Sequence, residues 1–261
     1  MAEKMPVLFI SHGPPTILMM ESPVSGFLKK LPALIPEPGY ILCISAHFET
    51  RNPTITSAAS PGLIYDFGGP DLLFEEAYPA PGAPELAQQT VELLNEAGFK
   101  AGLDEKRGLD HGAWIPLKLM YPDATIPVIQ ISLQTDMNTC HHYDIGKALQ
   151  PLREQGVLIL GSGGAVHNLN EISNFKLNDP PPDYVKAFDT WLYKAVTTGH
   201  HELLTCYKTL APEPEKNHPY PGEHFLPLMV CLGATTPDKK GSLLHADFMY
   251  GTLSMAAYCW D

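Results

Sequence analysis

Apolar positions in this chain come in short unbroken blocks separated by long polar and proline-rich stretches. Four blocks are apolar almost throughout: VLFIS at 7–11, YILCISA at 40–46, IPVIQISL at 126–133 and VLILGS at 157–162. A strand with one wet face alternates apolar and polar residues, so unbroken β-type runs of this length predict strands covered on both faces. Helical patterns lie between them. PVSGFLKKL at 23–31 is the first, and GAPELAQQTVELLNEAGF at 82–99 is the clearest, with Leu86, Val91, Leu93 and Leu94 apolar and Gly98 as a stop. YDIGKALQPLREQG at 143–156 and PDYVKAFDTWLYKAVTTG at 182–199 are two more, and a last helix is expected at about 225–234 or 248–259.

Strands alternating with helices predict an α/β fold, a three-layer sandwich whose central sheet is largely parallel or mixed and flanked by helices. Most of the 26 prolines sit between the elements, in SPGLIYDFGGPD, AYPAPGAP, NDPPPD and APEPEKNHPYPGEH. Such stiffened loops are expected as walls around a site. NDPPPD is too short for an interdomain linker and the pattern does not change across it, so residues 1–261 are read as one domain.

Charge and cysteine usage narrow the function. With 29 acidic against 17 basic residues the formal charge is -12, which argues against a nucleic-acid partner. No basic run offers a grip on anionic membranes, and no apolar stretch has transmembrane length. The N-terminal MAEKMPVLFISHG reads as a strand entering a loop, not as a signal peptide. Cys43, Cys140, Cys206, Cys231 and Cys259 are scattered, odd in number and without a C-x-x-C pair. They are expected to be reduced thiols of a cytoplasmic protein, which leaves nitrogen and oxygen as ligands for any metal.

Eleven histidines are therefore the candidates. His12 and His47 each follow the end of an apolar run, where open α/β sheets bind their ligands. A third run passes through GSGGAV to His167, its glycines expected to let backbone approach a ligand. His224 lies where a proline-punctuated loop enters an apolar helix, and His111 stands between Asp110 and Gly112. His141, His142, His200 and His201 occupy polar or helix-terminal settings and read as packing or surface residues, while His218 and His245 fit either reading. Three histidines just past three strand ends, with a fourth in a loop, match an imidazole-rich site for Zn(II) or Fe(II).

The segments SHGPP, SAHFET, YDF, YPAPGAPELA, KRGLDHGAWIPLKLMYP, IPVIQISLQ, HHYDIGKALQPLREQGVLILGSGGAVHNL and HPYPGEHFLPLMV follow one another in order from residue 7 onward. Together they resemble the DODA-type extradiol aromatic ring-opening dioxygenases, the DOPA 4,5-dioxygenase branch of the class III, LigB-like enzymes. The resemblance implies a LigB-like fold and one divalent metal, Fe(II) for ring cleavage or Zn(II) as carried by purified protein. It makes His12, His47 and His224 metal ligands, with Glu223 next to the third. It sets His167 at the open side of the metal, as the acid–base residue and close enough to ligate zinc. His111 is the second catalytic candidate, its alternative being a structural histidine bonded to Asp110 or backbone. Tyr65, Asp66, Trp114 and Tyr220 are candidates for framing an aromatic substrate or for loop packing. The implied substrates are a catechol and O2, and no oligomeric state is implied. The same histidines would also serve a zinc hydrolase, and non-catalytic Memo-like binding proteins share the fold.

Overall fold

The computed structural model describes residues 3–261. The four apolar runs form the middle of an eight-stranded sheet: β1 (Val7–Ser11), β2 (Tyr40–Glu49), β5 (Val128–Leu133) and β6 (Val157–Gly163). Short strands β3 (Thr54–Thr56) and β4 (Gly102–Asp104) extend one side; β8 (Ser242–His245) and β11 (Ala257–Trp260) close the other. The order is β4-β3-β5-β2-β6-β1-β11-β8. The pairs β5–β2, β2–β6 and β6–β1 are parallel, whereas β3 meets β5, and β11 meets both β1 and β8, antiparallel. The sheet is thus mixed around a parallel centre.

Alternate side chains of each central strand enter opposite cores, which is why the runs are apolar without interruption. Val7, Phe9, Leu42, Ile44, Val157 and Ile159 face one core. Leu8, Ile10, Ile41, Cys43, Leu158 and Leu160 face the other. The second core is capped by α1 (Pro23–Lys30) and α3 (His111–Met120). The first is covered by α2 (Pro84–Glu96), α4 (Thr139–Arg153), α5 (Asp183–Thr198) and α9 (Leu226–Gly233), with α6 (His201–Thr205), α7 (Tyr207–Leu210) and α8 (Pro214–Asn217) joining the last two. The result is a mixed α/β domain, a sheet between two helical layers. No helix among the described residues is long and apolar enough to cross a membrane.

Three expectations change. The last helix is the earlier candidate, α9; residues 248–259 fold instead into β9 (Phe248–Met249), β10 (Leu253–Ser254) and most of β11. There β11 pairs with β1, Val7 against Trp260, while β9 and β10 join β7 (Val166–His167) in a small second sheet. Residues 111–120 form a helix across Pro116, which the pattern did not announce. Finally, β2 runs on to Glu49, so His47 lies within the strand, past Ser45, the last residue of β2 paired with β6.

Candidate metal centre

The carboxyl ends of β1, β2 and β6 open into a cavity of about 440 Å³. His12 follows β1 directly, its backbone N–H bonded to the Gly163 carbonyl at 3.0 Å. Ser11 fixes the same corner: its hydroxyl donates to the Ala256 carbonyl and accepts from the N–H of Ala165. His224 sits in a short 3-10 turn, Glu223–Phe225, that leads into α9. This turn lies so close to β6 that a Cβ on Gly163 would come within 2.2 Å of the His224 carbonyl. Gly161 and Gly163 thus admit a neighbouring backbone, and Gly163 and Gly164 also line the cavity. Gly164 completes the seam by donating its N–H to the His224 carbonyl at 2.9 Å.

His47 is held from behind. Arg107 donates to its carbonyl at 3.0 Å and to Asp110 at 3.2 Å. The fully buried Asp110 also accepts from Ser45 and from the Gln130 amide, and it caps α3 through the N–H of Ala113. Charge-assisted bonds satisfying a carboxylate in this way make a stiff buried network.

The side-chain nitrogens of His12, His47 and His224 lie within 4.8 Å of one another. The Nε2 atoms of all three are buried and bonded to nothing. Their Nδ1 atoms point elsewhere: His12 to the Gly13 carbonyl at 2.8 Å, His224 to Glu223 at 2.8 Å, and His47 toward Asp66 at 3.8 Å. A buried nitrogen without a partner is costly, and a ring whose Nδ1–H is engaged presents Nε2 as a lone pair. Burial, and then the neighbouring imidazoles, hold His12 and His224 well below the usual histidine range and His47 down to about 4. Neutral imidazole is the ligating form. The cluster is one that can hold a single metal ion.

His167 and His111 flank this trio. The His167 ring stacks on His224 at 3.5 Å, nearly parallel, and its ligand atom groups with those of Glu223 and His224 and not with the trio. Burial and the charges of His47 and His111 bring it down to about 4. At neutral pH the buried His167 imidazole is therefore uncharged. His111 is the first residue of α3, its ring 3.9 Å from that of His47. Its partner is neither Asp110 nor a backbone carbonyl. Asp66 Oδ1 accepts from both its N–H, at 3.1 Å, and its Nδ1, at 2.8 Å. Burial works against the Asp66 charge, yet the hydrogen bonds from His111 hold this carboxyl down at about 2.

The aromatic candidates separate. Trp114 is fully buried and donates to the Ile64 carbonyl, so it is core. Tyr65 packs on Trp114 and Phe67, supporting the wall from outside. Tyr220 is 88% exposed and borders a different groove. Asp66 does line the cavity, and Phe67 beside it does too. Of the remaining histidines, His218 is buried against Phe225 and bonded to the Ala165 carbonyl, and His245 stacks on Phe27. His141, His142 and His200 make local bonds and His201 bonds to the Lys239 carbonyl, all away from the cavity. The five cysteines are free, and none belongs to the cluster.

An α/β sheet with a trio of metal-competent histidines at its carboxyl edge defines a class of metal-dependent enzyme, and the sequence as a whole places it. Residues 6–259 match the family described as the catalytic LigB subunit of aromatic ring-opening dioxygenase. The chain belongs to this family and is a ring-cleaving dioxygenase. It is 44% identical over 255 residues to a 4,5-DOPA dioxygenase extradiol of Beta vulgaris, covering 96% of this chain and 94% of that one. It is 36% identical to the protein of the same description from Escherichia coli K12, covering 97% and 93%. The crystal structure of an uncharacterized Escherichia coli K12 protein, 31% identical, superposes with a TM-score of 0.80 over 98% of this chain and all of the other.

Proposed function

We propose that this protein is an Fe(II)-dependent extradiol dioxygenase that opens the ring of a DOPA-type catechol with O2 by 4,5 cleavage. The observation that carries the reading is the convergence of three buried, unpartnered Nε2 atoms, from His12, His47 and His224, in the floor of a cavity of single-ring size. In this reading those three residues hold the metal. When bound there, Fe(II) would supply the dioxygen redox chemistry that Zn(II) lacks.

The chain supplies orientation and proton transfer. His167, neutral and stacked beside the trio, takes the proton of the second catechol hydroxyl at a ring nitrogen and returns it as the ring opens. His111, with Nδ1–H given to Asp66, turns Nε2 toward the reacting oxygens and is the second proton-handling group. Phe67, Val166, Leu253 and Met255 give the cavity an apolar wall that flanks an aromatic ring and excludes water. The free cysteines suit the reducing cytoplasm.

The test is to load the protein with Fe(II) without oxygen, add L-DOPA, admit O2 and follow oxygen uptake together with formation of a yellow semialdehyde. One O2 consumed per ring opened supports the reading. Hydrolytic turnover by the Zn(II) form without oxygen, and no ring opening by the Fe(II) form, would replace it with a hydrolase.

A further inference from the structure

Away from the histidine cavity, a second groove keeps its polar groups uncommitted. It encloses about 330 Å³ between α7, α8 and the loop 218–221 that leads into the Glu223–Phe225 turn. Pro219 and Pro221 flank the exposed ring of Tyr220 and, with their φ angles fixed, make this wall stiff. Lys208 and Glu215 line the same groove with opposite charges. Neither has an ion-pair partner among the described residues, and Lys216, beside Glu215, is taken by Glu171. His218 also lines the groove, although it is only 4% exposed. Its Nε2 donates to the Ala165 carbonyl at 3.0 Å, while its Nδ1 is buried and bonded to nothing. An imidazole that has given away its Nε2–H keeps Nδ1 as an acceptor, and a buried acceptor without a donor is costly.

The groove and the metal centre share a wall. The rings of Tyr207 and His218 both pack on Phe225, at 4.5 and 4.6 Å. The Ala165 carbonyl that holds His218 stands two residues before His167. The Tyr207 phenol lies close enough to Glu223 to feel its charge: burial, and then that carboxylate, push it up to about 12. Glu223 in turn accepts from Nδ1 of His224 at 2.8 Å.

We propose that this groove is a second binding site, for an aromatic α-amino acid that carries a ring hydroxyl. The carboxylate pairs with Lys208, the ammonium with Glu215, the ring lies against Tyr220 and its prolines, and the hydroxyl donates to Nδ1 of His218. A ligand of a single charge would satisfy one of the two charged residues and meet the other with like charge. The bound ligand presses on Tyr207 and His218, the side chains that back the Glu223–Phe225 turn. A metal at the trio and a ligand in the groove therefore each change the affinity of the other, by the same factor. Only this coupling rests on the trio holding a metal; the binding site stands without it and without the ring-opening reading.

The probes are L-tyrosine, L-phenylalanine, tyramine and 3-(4-hydroxyphenyl)propionate, with affinities measured on the metal-free protein by ligand-observed NMR. L-tyrosine is expected to bind most tightly. Loss of the hydroxyl should weaken binding about fivefold, and loss of either charge about two- to fivefold. Tyr220→Ala, at an exposed position, should weaken L-tyrosine about tenfold, and Lys208→Glu should reverse the preference for L-tyrosine over tyramine. Loading the protein with Zn(II) should shift the affinity for L-tyrosine by about fivefold. No binding, or one affinity for all four probes, overturns the proposal. So does L-tyrosine binding that Tyr220→Ala and Lys208→Glu leave unchanged, because the ligand then sits elsewhere. An affinity that Zn(II) does not alter overturns the coupling.

Discussion

Asp66 accepts two hydrogen bonds on a single oxygen from a single residue, the N–H and Nδ1 of His111. The two donors fix the imidazole both in rotation and in tautomer, because Nδ1 keeps its hydrogen and Nε2 is left to face the cavity. Asp66→Asn keeps an acceptor but removes the charge. It is expected to lower kcat about 10- to 100-fold with KM little changed. Metal content by elemental analysis should stay near that of the parent, and a variant that loses its metal would show that Asp66 supports His47 instead.

The trio and His167 should respond differently to removal. His12→Ala, His47→Ala and His224→Ala are each expected to lose metal and activity together. His167→Asn is expected to keep much of the metal and lose about 10²–10⁴-fold in kcat. Metal titration alongside steady-state rates separates the two outcomes. If His167→Asn empties the site as fully as His12→Ala, His167 is a ligand and the proton passes to His111.

Gly163 can be tested without touching any imidazole. A methyl group there would press on the His224 carbonyl, so either β6 or the 223–225 turn must move. Gly163→Ala is expected to destabilise the protein by about 1–3 kcal/mol and to weaken metal binding through His224. Urea unfolding and metal titration measure the two effects. A variant of parental stability and affinity would mean that the seam is softer than its geometry.

Two histidines outside the cavity give the protein an acid limit. Burial holds His142 at about 4 and His218 at about 3. An unfolded histidine titrates near 6.5, so between that value and the folded ones the unfolded chain binds more protons. Stability is therefore fully present above about 6.5 and falls progressively as the pH drops toward 3. Thermal melts from pH 7.5 to 4.5 should show a declining midpoint, and His218→Asn should flatten the decline. An unchanged slope would remove His218 from the account.

Much of the scaffold is legible from sequence because double-faced burial forces continuous apolar runs, and β1, β2, β5 and β6 obey that rule. The C-terminal stretch defeats it. FMYGTLSMAAYCW is apolar enough for either state, and only the ladder between β1 and β11 decides for strand. The helix His111–Met120 is concealed by Pro116, which local rules count as a breaker. Within the site, histidines at strand ends stand out because polar residues are conspicuous after apolar runs. The groups that orient them do not. Asp66 lies 45 residues from His111 and Asp110 lies 65 from Ser45, and no local spacing announces such pairs.

The three convergent imidazoles come from distant parts of the chain: the end of the first strand, the second strand, and a turn close to the C-terminal helix. An ion gripping them would act as a clasp, tying the opening segment of the polypeptide to its closing one across most of its length. A link spanning long loops restricts the unfolded chain most, and a ligand that binds only the assembled site adds its binding free energy to folding. The same three side chains would then set two properties at once, the chemistry at the mouth of the sheet and the temperature at which the molecule comes apart.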